Sequence, residues 1–96
     1  MSANILIKMY KKCQENEELK FFFNGYIECL ISGETAMYWN IEDKNNLQII
    51  KDFFAELYQD CPQLYQINDW FVPNNTRKEY VIKWYHSLEE AEASKN

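Results

Sequence analysis

His86 is the sole histidine of this 96-residue chain, and Cys13, Cys29 and Cys61 are its thiols. A thiol nucleophile needs a base within hydrogen-bond reach, and only His86 could serve. All three cysteines fall on the apolar stripes of expected helices, the setting of buried structural thiols. His86 and Glu90 stand four residues apart on one helix face. That gives two metal ligands where a zinc site needs three or four, so the pair reads as a surface contact. No metal and no cofactor are expected. The two glycines, Gly25 and Gly33, are too isolated for a phosphate-cradling loop. Carboxylates come in pairs, Glu17 with Glu18, Glu42 with Asp43, Asp52 with Glu56, Glu89 with Glu90. General acid–base work needs such groups convergent in a cleft, whereas here most sit on polar helix faces. An enzyme built on His86 therefore has the fewest residues behind it.

The elements that would position these groups follow from periodicity and end signals. A first helix is expected from about Ala3 to Gln14, with Ser2 as N-cap and Leu6, Met9, Tyr10 and Cys13 on its apolar stripe. A second runs from about Glu17 to Ser32, capped by Asn16 and ended by Gly33. Its stripe, Leu19, Phe22, Phe23, Tyr26, Ile27, Cys29, Leu30 and Ile31, covers more than half the wheel and marks a central helix. Gly25 interrupts it, which suits a close helix contact. A third runs from about Lys44 to Asp60, capped by Asp43 and stopped by Pro62. A fourth is expected from Arg77 to about Ala93, with Thr76 and Glu79 as capping box and Val81, Trp84, Tyr85, Leu88 and Ala91 as stripe. Residues 34–42 and 63–75 are left as connectors, and the end from about 93 should fray. The fold class expected is all-α, one domain over 1–96 built as a bundle of four main helices. The rival is α+β with a short antiparallel sheet. In it "GYIECLIS" and "TAMYWNI" form a hairpin and "EYVIKWY" is another strand.

Composition sets the outer limits. Hydrophobic residues make up 47% and aromatics 17%, enough for a core without staples. Two glycines and two prolines are too few for the many turns of a β-sandwich. The net charge of −5, with scattered Lys and a single Arg, offers no footprint for direct nucleic-acid binding. Apolar runs are far short of a membrane span. The N-terminus lacks the pattern of a secretory signal, and an odd number of cysteines suits reduced thiols, so a cytoplasmic location is expected.

What remains is surplus apolar surface. Phe21, Ile49, Ile82 and Ile7 fall off their stripes, and Trp39, Trp70 and Phe71 lie in the connectors. That is more than a small monomer must expose. The expected partner-binding set is Trp70 with neighbouring Asp69, Trp39, Phe21, Ile49 and Ile82, joined by the carboxylates Asp52 and Glu56. Leu64, Ile67 and Phe71 are expected to close the end of the bundle. The function expected is a small acidic protein-binding module that blocks a basic, nucleic-acid-processing partner, as immunity, antitoxin or phage anti-defence proteins do. The alternative is a self-associating structural or adaptor subunit whose off-stripe residues form a homodimer interface.

Overall fold

A computed structural model describes residues 3–71 and 78–94 of the chain. The order is α1 (Ala3–Cys13), α2 (Glu17–Ser32), β1 (Ala36–Trp39), α3 (Lys44–Leu57), a 3-10 turn (Pro62–Leu64), β2 (Tyr65–Phe71), β3 (Lys78–Trp84) and α4 (Leu88–Ala93). This corrects the all-α expectation: the fold is α+β, with a three-stranded antiparallel sheet ordered β1-β3-β2. The rival reading placed strands correctly at "TAMYWNI" and "EYVIKWY". It erred on "GYIECLIS", which stays helical, and β1 pairs with β3.

The first three helices form near their expected bounds, though α3 ends at Leu57, short of Asp60 and of Pro62, and the Ser2 cap proposed for α1 lies outside the described residues. Asn16 caps α2 by accepting the Leu19 N–H at 2.9 Å. Asp43 caps α3 by accepting from Asn45 at 2.8 Å. Gly33, at φ 77°, closes α2 with a paired C-terminal motif: its N–H donates to Leu30 O and the Glu34 N–H donates to Cys29 O at 2.9 Å. The Asn16 cap also fixes where α3 begins. Asn16 and Asn46 exchange side-chain amide hydrogen bonds at 3.1 and 3.2 Å, and Asn46 donates to Glu18. Asn46 can be buried because these bonds satisfy it. Farther along, Lys8 of α1 meets Glu56 of α3 at 3.2 Å. The chain just after α1 therefore lies at the start of α3, and the middle of α1 lies beside its end, so the two helices run antiparallel.

The expected fourth helix is mostly strand. Val81, Trp84, Tyr85 and Leu88 fit a helical stripe, yet Tyr80, Ile82 and Trp84 fit a strand face equally well. Tertiary packing decides. Ile82 and Trp84, with Met37, Tyr65 and Ile67 across the ladder, cover the side of the α2–α3 layer that helices leave open. Aromatic and β-branched types suit that pleated, half-buried surface. The real cap comes later. Ser87 accepts from Glu90 N–H at 3.1 Å, and the Glu90 carboxylate accepts from His86 N–H at 2.9 Å, which starts a helix of six residues. The proposed cap at Thr76 lies outside the described residues.

Tyr26 sits at the centre of the core. Its ring meets Phe53, Phe54 and Trp84 edge-on at 5.7, 5.3 and 5.3 Å, so one side chain ties α2 to both α3 and β3. The expected stripe of α2 is narrower than the sequence implied: Ile31 is 81% exposed. The opposite face of the sheet carries Tyr38, Lys83, Gln66 and Asn68, with Val81 buried among them in the middle strand.

Candidate functional site

The structure distributes the expected binding residues over three places. Phe21 and Trp39 come together. Phe21 stands on the flank of α2, 73% exposed, with its ring 5.4 Å from that of Trp39. Trp39 ends β1 and lies across Gly25 of α2. A Cβ on Gly25 would stand 3.1 Å from Trp39 Cζ3, so only glycine gives the indole this seat without adjustment. The close contact inferred for Gly25 is therefore real, but it is made with a strand side chain and not with another helix.

An open groove of about 520 Å³ runs from this aromatic pair along the junction of α2 and β1. Trp39 and Met37 supply apolar walls, Tyr38 stands exposed beside it, and Glu28, Glu34 and Cys29 supply its polar groups. Among the described residues that line it are two carboxylates and no cation. Cys29 is half-buried, and its thiol is pushed up, first by burial and then by the Glu34 carboxylate.

Ile49, Asp52 and Glu56 form a second group. All three line an open groove of about 410 Å³ between α1 and α3, over a floor that includes Met9 and Phe53. Glu56 pairs with Lys8, and Asp52 accepts from Gln48 Nε2 at 2.9 Å.

The remaining residues stand apart. Ile82 is wholly buried in the middle strand, at 0% exposure. Its place off the supposed helical stripe was the alternation of a strand, and it is withdrawn from the binding set. Asp69 is exposed on β2, opposite Tyr80. Trp70 pairs with Glu79 in the ladder, but its side chain, like that of Phe71, lies outside the described residues. Leu64 and Ile67 are half-buried, with Ile67 packed on the core.

The titratable candidates do not converge. His86 is exposed, and the contact with Glu90 that suggested two metal ligands is made by its backbone N–H. Among the described residues no group of three or more His, Cys, Asp or Glu is placed to hold a metal. Burial pushes the Cys13 thiol up to about 11. Cys61, half-buried, lies 3.3 Å from the Gln63 amide oxygen.

Glu28, Glu34 and Tyr38 were missed by sequence reasoning. Gly25 was the available signal: a glycine inside a strongly capped helix points to something large lying against it. Its partner lay in a stretch of uncertain structure, so the groove could not be assembled. No helix among the described residues is long and apolar enough to cross a membrane. No protein-family model, curated protein or solved structure matches this chain.

Proposed function

We propose that this chain is a non-enzymatic, cytoplasmic protein-binding module that neutralises a basic partner protein by occupying its surface, in the manner of an immunity, antitoxin or anti-defence protein. The observation that carries this reading is the α2–β1 groove, where Glu28 and Glu34 stand beside Phe21, Tyr38 and Trp39 with no cation among the described lining residues. A Lys or Arg side chain of a partner fits that chemistry. Its aliphatic stem would lie along Met37 and the Trp39 ring, and its charged head would reach the two carboxylates. Exposed aromatics beside the groove provide the desolvated contact that dominates protein–protein affinity. The net charge of −5 draws a basic surface in and speeds encounter. Enzymes that grip nucleic-acid phosphates present such surfaces, so they are the class of target favoured.

The test uses the chain as bait in extracts of its native cells, followed by mass spectrometry. Wild type should retain one stoichiometric basic protein. Glu28→Lys/Glu34→Lys should lose it, and Lys51→Glu, an exposed position that lines neither groove, should keep it. Circular dichroism confirms that each bait is folded. Failure to retain a stoichiometric partner, or retention that ignores the double substitution, would overturn the reading.

A further inference from the structure

We infer that the groove between α1 and α3 is the interface between two copies of this chain. The groove has flanks of opposite sign. Lys8, Lys11 and Lys12 line it from α1, with Glu15 just past α1 paired to Lys12 at 3.1 Å, so that side keeps an excess of cations, while Asp52 and Glu56 line it from α3. Between them lies an apolar floor that includes Met9 and Phe53. In a chain of net charge −5, a second copy is repelled over most of the surface. Here the cations of α1 give it a place to approach.

The charge pattern also selects the symmetry. The helices are antiparallel, with Lys8 level with Glu56. One turn on from Lys8 is Lys12, and one turn back from Glu56 is Asp52, so these two also share a level. A two-fold axis running along the groove lays α1 of each copy over α3 of the other and keeps those levels. Lys8 then faces the copy's Glu56, and Lys12 faces its Asp52, twice in each dimer. An axis running across the groove would instead set α1 on α1 and cation on cation. The surface is self-complementary under the first axis and self-repelling under the second, which is the signature of an isologous contact. The face is separate from the α2–β1 groove, so a dimer would carry two partner-binding grooves and would gain from any partner that displays two sites.

Sedimentation equilibrium over a rising protein concentration tests this. Wild type should approach twice the mass of one chain, and added salt should weaken the association. Lys12→Glu and Asp52→Lys should each raise the dimer dissociation constant by roughly tenfold or more, because each replaces two attractive contacts by two repulsive ones. An equimolar mixture of the two variants should dimerise again, since in the mixed pair both contacts regain opposite charges. The double variant Lys12→Glu/Asp52→Lys should do so alone. Both positions are exposed, and circular dichroism verifies folding. A wild-type chain that stays monomeric throughout overturns the inference. So do single variants that dimerise as well as wild type, or a mixture that fails to recover.

Discussion

Trp39 rests on the one helical position of α2 that has no side chain: its Cζ3 stands 3.1 Å from where a Gly25 Cβ would be. This contact joins the central helix to the edge of the sheet and forms the inner end of the acidic groove. Alanine at 25 gains about 1 kcal/mol of helix propensity. It also forces the indole to move by a few tenths of an ångström. The two effects should nearly cancel, leaving Gly25→Ala within about 1 kcal/mol of wild type in urea denaturation. Gly25→Val adds branches that such a movement cannot absorb and should cost about 2 kcal/mol or more. A valine variant as stable as wild type would show that Trp39 is not seated on this helix.

Gly33 separates backbone conformation from space. Nothing lies within 4 Å of a Cβ built there, yet its φ of 77° is left-handed. Gly33→Ala should therefore cost about 1 kcal/mol through conformation alone. Gly33→Asn should cost less, since asparagine tolerates that region better. Equal stability of the alanine variant would mean that α2 does not end in this geometry.

The Tyr26 hydroxyl is buried beside the Tyr58 hydroxyl, and burial together with that neighbour pushes its pKa up. Tyr26→Phe removes the oxygen and keeps the ring contacts. It should change stability by no more than about 1 kcal/mol, the net worth of one hydroxyl pairing. Tyr26→Ala should lose about 3 to 5 kcal/mol, because three edge-on ring contacts go with it. A phenylalanine variant that loses as much as the alanine variant would show that the ring contacts do not hold the core together.

Cys13 is wholly buried, and burial raises its thiol from 9.0 to about 11. The folded state holds this proton more tightly than the unfolded chain does. Its contribution to stability is thus fully present below about 9 and is lost as pH rises toward about 11. Wild type should lose stability relative to Cys13→Ala across that window, and the difference between the two should be flat at lower pH. Denaturant titrations of both proteins on either side of the window measure it. In the native state Cys61 should react with a thiol reagent well before Cys13. Rapid native labelling of Cys13 would contradict its burial.

The helical half of the fold was legible because its signals are local. Asn16, Asp43 and Gly33 each act on backbone groups a few residues away, and α2 spans Glu17–Ser32 as the stripe and caps imply. The sheet depends on non-local pairing. "EYVIKWY" satisfies both periods, and only the uncovered side of α2 and α3 decides for the strand. Two Ser/Thr-x-x-Glu matches compete as caps, and the one at Ser87 is used because β3 occupies the residues before it. Among the off-stripe residues, Phe21 stands exposed on α2, whereas Ile49 packs half-buried against the core. Ile82 lies on a strand, where a helical stripe has no meaning. Glu28 and Glu34 look like ordinary surface until β1 is laid beside α2.

Amide chemical-shift mapping tests most directly whether the α2–β1 groove captures basic side chains. The labelled chain is titrated with a short arginine-rich peptide and, separately, with an acidic peptide of equal length. Saturable shifts are expected from the basic peptide only, concentrated at Glu28, Cys29, Glu34, Tyr38 and Trp39 and abolished by Glu28→Lys/Glu34→Lys. Shifts spread evenly over the acidic surface, or centred on another face and unchanged by that double substitution, would contradict it.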